Sequence, residues 1–130
     1  MPEIKSPKKK ILVVDDEPMV CEAIGMLLKF DGHEVVAASH GQEALALFER
    51  DRFDLVITDY HMPGMRGDEL TLALKALLPG QPVIMITAYA EMLKTSAVPL
   101  MGVDQLINKP FQLQELRDAI QKLLPVDQTL

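Results

Sequence analysis

Five residues far apart in the chain have side chains suited to one piece of chemistry. Asp15 and Asp16 form an acidic pair, Asp59 and Thr87 each close an apolar run, and Lys109 follows a third such run. Clustered carboxylates repel one another, so at least one pKa rises unless a cation is present. Hard carboxylate oxygens that leave coordination positions free suit Mg²⁺, which keeps waters and often shares a phosphate oxygen. With Lys109 as a positive group opposite and Thr87 as a neutral donor, the set describes a pocket for a dianionic phosphoryl group bridged by metal.

Taken singly, each residue has an ordinary explanation. Asp15 or Asp16 serves as a helix N-cap, or as cap and ligand together. Asp59 supplies turn chemistry after a strand, Lys109 before Pro110 is a solvated surface residue, and Thr87 is a β-branched strand residue. Only their conjunction points to phosphoryl chemistry, and it requires a fold that gathers them.

The chain alternates between two periodicities. Lys10–Val14, His33–Ala37, Phe53–Thr58, Pro82–Thr87 and Asp104–Asn108 read as strands. The first, third and fourth are almost continuously apolar, as central parallel strands covered on both faces must be. Between them, Met19, Ala23, Leu27 and Phe30 recur at helical spacing, with Gly32 as a stop. Ala44, Leu47 and Phe48 mark a second helix, and Leu70, Leu74 and Leu77 a third ended by Pro79-Gly80. Leu113, Leu116, Ile120 and Leu123 mark the last, closed by Pro125. Pro99 would break a helix over Ala90–Met101, which is expected to be short, kinked or partly unwound. Five strand–helix repeats specify an α/β fold: a doubly wound parallel sheet with helices on both faces. Its functional crevice lies at the carboxyl ends of the strands, where all five residues fall.

Composition bounds the possibilities. A chain of 130 residues is one domain, and 48% apolar with 25% charged residues is ordinary for a folded protein. The single Cys21 excludes a disulfide framework and has no zinc-ligand spacing around it. The eight methionines fall mostly at apolar positions and read as core packing. No apolar run approaches a membrane span, and the first residues lack the apolar stretch of a signal peptide, so a cytoplasmic location without membrane contact is expected. Net charge is −6, yet Lys5, Lys8, Lys9 and Lys10 lie in the first ten residues. An acidic body with a short basic tip matches nucleic acid phosphates poorly, so no direct nucleic acid partner is expected. The expected organisation is a basic tail over 1–9, a folded domain over 10–124 and a short stub over 125–130.

Four segments carry a family resemblance: Ile11-Leu12-Val13-Val14-Asp15-Asp16-Glu17-Pro18, Asp59-Tyr60-His61-Met62-Pro63-Gly64-Met65-Arg66-Gly67, Ile86-Thr87-Ala88 and Lys109-Pro110-Phe111. From Lys9 to Leu124 the chain resembles the response-regulator receiver domain of two-component signalling. The resemblance implies a flavodoxin-like strand order 2-1-3-4-5 and a phosphoacceptor function in a phosphorelay. Asp59 would be the nucleophile toward a phosphohistidine on a sensor histidine kinase or phosphotransfer protein. Asp16 and Asp59 would ligate Mg²⁺ directly, with the backbone carbonyl of His61, while Asp15 acts mainly through water. Lys109 would pair with Asp59 and then with the phosphoryl oxygens, and the Thr87 hydroxyl and Ala88 N–H would hold the others. The Lys109-Pro110 bond is similar to one that is cis in the family.

Two residues depart from the family pattern. Leu106 stands where receivers commonly carry Tyr or Phe, the ring that follows the threonine inward when the domain switches. Pro99 falls in the fourth helix, on a face that usually meets partners. The switch in this chain is therefore expected to involve Thr87, Leu106 and the irregular fourth helix, acting on an unknown downstream protein. Tyr89 is either a surface residue or a shield for the acyl phosphate. Such a module catalyses only its own phosphorylation and dephosphorylation and is not a turnover enzyme. Three rivals share parts of the pattern: a phosphorylation-independent interaction scaffold, a flavodoxin-like electron carrier and a haloacid-dehalogenase-type phosphatase. The acids of Asp15-Asp16-Glu17-Pro18 would repel a nucleotide phosphate, and His61 stands where the phosphatase needs a second aspartate.

Overall fold

The run Ile11-Leu12-Val13-Val14 has no polar residue to turn toward water, so it can only lie inside a sheet covered on both faces. A computed structural model, which describes residues 9–94 and 102–124, places it there. The elements run β1 (Lys10–Val14), α1 (Pro18–Phe30), β2 (Glu34–Ala38), α2 (Gly41–Arg50) and β3 (Leu55–Asp59), then α3 (Gly67–Leu77), β4 (Val83–Thr87), α4 (Ala90–Lys94), β5 (Gln105–Asn108) and α5 (Leu113–Leu123). All strand pairs are parallel, and the order is β2-β1-β3-β4-β5. The order reverses between β1 and β3, which puts the crevice of such a sheet above those two strands.

Strand alternation sorts the apolar residues into two layers. Ile11, Val13, Leu55, Ile57, Ile84 and Ile86 face α1 and α5, where Ile24, Leu28, Leu116 and Ile120 meet them. Leu12, Val14, Val56 and Val83 face Ala44, Phe48, Leu70 and Leu74 of α2 and α3 on the other side. The central strands β1, β3 and β4 are therefore apolar on both faces, as the sequence required of them.

Turn chemistry fixes the helix ends. Pro18 opens α1, and Gly32 closes it at φ +92°, a left-handed conformation open to glycine at no steric cost. Glu69 and Glu115 each turn back to accept the N–H of the residue before their helix, from Arg66 at 3.0 Å and Gln112 at 2.9 Å.

Several sequence expectations change here. Of the Met19, Ala23, Leu27 and Phe30 series, only Leu27 is buried; Met19 is 82% and Phe30 84% exposed. The series follows the helical repeat but lies on the wrong side, because Ile24 and Leu28 form the face that meets the sheet. Leu77 and Leu113 are also exposed. β2 runs one residue later than expected, and β3 starts at Leu55, because Asp54 spends its carboxylate on the Lys10 N–H at 2.8 Å. Neither Asp15 nor Asp16 caps α1: Glu17 holds the cap position with no side-chain bond. The described part of α4 is five residues long; Pro99, Pro125, the tail over 1–8 and the stub over 125–130 lie outside the described residues. No described helix is long and apolar enough to cross a membrane.

Candidate functional site

Sheet register assembles the site. Val14 of β1 pairs with Thr58 of β3, so the next residues, Asp15 and Asp59, are neighbours on adjacent strands. Such strands lie about 4.8 Å apart, close enough for two carboxylates to repel. Thr87 pairs with Asn108, which makes Lys109 the first residue past β5 on the same edge. Asp15, Asp59 and Lys109 continue the rows of Val13, Ile57 and Ile107, so all three project to the α1 and α5 side.

The contacts follow from that placement. The Lys109 ammonium lies 3.2 Å from Asp15 Oδ2, 3.2 Å from Asp59 Oδ1 and 3.7 Å from Glu17 Oε1. Asp15 and Asp59 are buried, whereas Asp16 is exposed. Asp15 Oδ1 also accepts the Glu17 N–H at 2.9 Å, which fixes the turn leading into α1. Burial pushes the Asp15 carboxyl above its usual range, and neighbouring Asp59 adds to this against the pull of the Glu17 N–H and Lys109. Burial likewise raises Asp59, again against Lys109. Lys109 loses basicity through burial, but the charges of Asp15 and Asp59 outweigh that and raise it.

One ammonium among three acids leaves negative charge uncompensated, and this tests the fit of a metal. Asp15, Asp16 and Asp59 each offer an oxygen, and these three atoms lie within 4.8 Å of one another. Carboxylate oxygens, two of them desolvated, form a hard donor set of the kind Mg²⁺ takes, so the residues fit the ion the sequence suggested.

Thr87 is buried, and its Oγ1 accepts the Tyr89 N–H at 3.1 Å. A hydroxyl that accepts in this way keeps its own proton to donate. The Thr87 carbonyl accepts the Lys109 N–H at 2.8 Å, tying the two loops together. The Lys109–Pro110 bond is cis. Beside Lys109 opens a cleft of about 470 Å³, lined by Glu17, Val20, Ala88, Pro110 and Phe111. His61 is exposed, and its ring meets Tyr60 and Tyr89 edge-on, each at 5.0 Å between centroids. The half-exposed Tyr89 thus joins the loop after β3 to the loop after β4. Leu106 is half-buried in β5, opposite Met85.

Sequence reasoning assigned no role to two residues that build this edge, Gly67 and Asn108, or to Asp104 at the opposite end of the sheet. Gly67 lies against the Asp59 backbone, its N–H donating to the Tyr60 carbonyl at 2.8 Å. Its signal was the close pair Gly64 and Gly67 after Asp59. Asn108 Oδ1 accepts the Ala90 N–H at 3.3 Å and so links β5 to the start of α4. Asp104 Oδ2 accepts from the Val83 N–H at 2.8 Å and from Lys75 Nζ at 3.0 Å, which pins the starts of β4 and β5. Neither polar residue had a signal in the sequence, because each acts across a long chain separation.

Comparison with known proteins agrees with the geometry. The family model of the response regulator receiver domain matches residues 11–121. Sporulation initiation phosphotransferase F of Bacillus subtilis is 33% identical over 118 residues, covering 91% of this chain and 95% of that protein. The response regulator TrrA of Thermotoga maritima, solved in complex with Mg²⁺-BeF, superposes with a TM-score of 0.82 at 36% identity, covering 89% of this chain and 99% of that one. A second structure, of histidine kinase ThkA in complex with TrrA, matches with a TM-score of 0.80 at 36% identity, over 89% and 98% of the two chains. This chain spans a quarter to a half of the length of the transcriptional regulatory proteins it also matches. With its register, acid cluster and lysine in place, the chain belongs to the response regulator receiver domain family.

Proposed function

We propose that Asp59 is the phosphoacceptor of this receiver and that Lys109, Thr87 and the Ala88 N–H hold the phosphoryl group it takes. A carboxylate oxygen of Asp59 attacks the phosphorus of a phosphohistidine. The new O–P bond forms as the P–N bond breaks, and the imidazole nitrogen leaves with the electron pair. Hydrolysis later returns the carboxylate and inorganic phosphate. The observation that carries this reading is Lys109, whose ammonium stands 3.2 Å from both Asp15 and Asp59. It already lies where charge on the transferred oxygens must be neutralised, and positioning with neutralisation is most of what phosphoryl transfer needs. Thr87 would offer its hydroxyl proton to a second oxygen.

Asp16 and Asp59 would hold Mg²⁺ directly, with the backbone carbonyl of His61, and Asp15 would hold it through water. When bound, the ion neutralises charge shared between carboxylate and phosphoryl oxygens. The acid cluster supports this assignment, as does the Mg²⁺-BeF complex of TrrA. The donor would be a histidine kinase or a phosphotransfer protein, approaching through the cleft beside Lys109; the ThkA–TrrA complex supports a kinase partner. The chain would act as a cytoplasmic signalling module that turns over only its own phosphoryl group, with Thr87 and Leu106 relaying the change. Intact mass after incubation with acetyl phosphate and Mg²⁺ tests the reading. One phosphoryl adduct is expected on the wild type, and none on Asp59→Asn or in the presence of chelator. An adduct that persists on Asp59→Asn would refute it.

A further inference from the structure

The start of α4 carries no cap of its own. The first N–H groups of a helix have no intrahelical partner, and a Ser, Thr, Asp or Asn at the cap position normally takes one of them. Here the chain reads Ala88-Tyr89-Ala90, and none of these residues has a short side-chain acceptor. Tyr89 stands at the cap position, because its carbonyl accepts the Leu93 N–H at 3.0 Å. Ala90 follows it and is 1% exposed, so water does not reach its N–H and the protein must satisfy it.

Two neighbouring strands supply the missing acceptors. Thr87 Oγ1, at the end of β4, accepts the Tyr89 N–H at 3.1 Å. Asn108 Oδ1, at the end of β5, accepts the Ala90 N–H at 3.3 Å. The two residues are partners in the sheet register, and the Lys109 N–H donates to the Thr87 carbonyl at 2.8 Å beside them. Ile107 faces α1 and α5, so strand alternation puts Leu106 and Asn108 on the opposite face, with α4. Leu106 has no polar atom to offer. Among the described residues, Asn108 is the one β5 side chain that hydrogen-bonds to α4.

The two bonds differ in what else their residues must do. A Thr87 hydroxyl that turns toward a phosphoryl oxygen strains its bond to Tyr89. Asn108 points away from Asp15, Asp59 and Lys109, and holds Ala90 without taking part in the chemistry. The loop that carries Ala88 is thus anchored at Thr87 on one side and at Ala90 on the other. We propose that Asn108 is a positioning residue for phosphoryl transfer: by holding the Ala90 N–H from β5, it fixes the loop that presents the Thr87 hydroxyl and the Ala88 N–H to the group on Asp59. This rests on the reading of Asp59 as phosphoacceptor. Donors act on a transition state only where they already stand when charge develops, so a loop that drifts loses part of the rate.

Initial rates of phosphoryl incorporation from acetyl phosphate, read by intact mass of the whole chain at saturating Mg²⁺, test the assignment. Asn108→Leu keeps the bulk of the side chain but strands a buried N–H, and the rate should fall about tenfold. Asn108→Ala adds no apolar bulk and should fall alike. Asn108→Asp offers an acceptor oxygen from the same place and should return the rate to within about twofold of wild type. Mg²⁺ affinity, measured by calorimetry, should stay at the wild-type value in each variant, because the acids project to the other face of the sheet. General damage to the fold would lower affinity and rate together. The Ala90 amide should be protected from hydrogen exchange in the wild type and lose that protection in Asn108→Leu and Asn108→Ala.

Wild-type rates in Asn108→Leu and Asn108→Ala would overturn the proposal. So would an Asn108→Asp as slow as Asn108→Leu, a Mg²⁺ affinity that falls in step with the rate, or a freely exchanging Ala90 amide in the wild type. An adduct that persists on Asp59→Asn would instead overturn the acceptor assignment, and this inference with it.

Discussion

Gly67 and the backbone of Asp59 leave no room between them. A β-carbon on Gly67 would lie 2.1 Å from the Asp59 carbonyl oxygen and 3.0 Å from Tyr60 Cα. The obstructing atoms are backbone at the end of a central strand, so no side-chain rotation relieves the contact. Helix α3 therefore starts against the peptide of the proposed acceptor and helps set where its carboxylate stands. Gly67→Ala should cost about 1–3 kcal/mol in urea unfolding and reduce phosphoryl incorporation at Asp59. A change of stability within about 0.5 kcal/mol, the range of an ordinary surface substitution, would contradict this close contact.

Asp59 itself should be destabilising at neutral pH without metal. Burial holds its carboxyl above the ordinary value, so the folded chain binds the proton more tightly than the unfolded chain does. For a raised acid, that contribution to stability is present below the unfolded value and is lost as pH rises through the folded one. Asp59→Asn removes this loss and should stabilise the metal-free protein by about 1–2 kcal/mol near pH 7. The gain should shrink as pH falls toward about 4, the ordinary range of aspartate. Thermal unfolding of both proteins in chelator across that range checks the sign; a destabilised variant at pH 7 would contradict it.

Lys109→Met should act in the opposite direction. It removes the cation beside Asp15 and Asp59 and leaves two buried carboxylates facing each other. A loss of about 1–3 kcal/mol is expected at neutral pH, with partial recovery as the carboxylates become protonated on acidification. A pH-independent loss would assign the effect to packing of the lysine stem instead.

Magnesium should relieve the same repulsion. An ion that binds only the folded state stabilises by about 2.7 kcal/mol at a hundred times its dissociation constant. For a domain of this size each kcal/mol moves Tm by about 4 °C. Differential scanning fluorimetry should therefore show Tm rising with Mg²⁺ in the wild type and a much smaller rise in Asp16→Ala. Equal responses would remove Asp16 from the proposed ligand set.

The sheet and its edge were legible because their signals are local. Four polar residues ending or following apolar runs must fall together once those runs are parallel strands, and Asp15, Asp59, Thr87 and Lys109 do so. The buried face of α1 was less legible because this helix is apolar on both sides, so periodicity alone could not distinguish Phe30 from Leu28. The shared contact of Lys109 with Asp15 as well as Asp59 depends on three-dimensional proximity that no spacing encodes. Glu17 as the cap residue of α1 was hidden for a related reason: Pro18 makes the position, while the Asp15 side chain satisfies the Glu17 N–H from outside the helix.

The most direct test of the phosphoacceptor assignment is chemical. An aspartyl phosphate is an acyl phosphate, and borohydride reduces it to the alcohol, leaving homoserine in place of aspartate. After phosphorylation with acetyl phosphate and Mg²⁺, borohydride treatment and peptide mass spectrometry should find homoserine at position 59 and aspartate at positions 15 and 16. Homoserine at position 15 or 16, or at none of the three in a phosphorylated sample, would contradict the account.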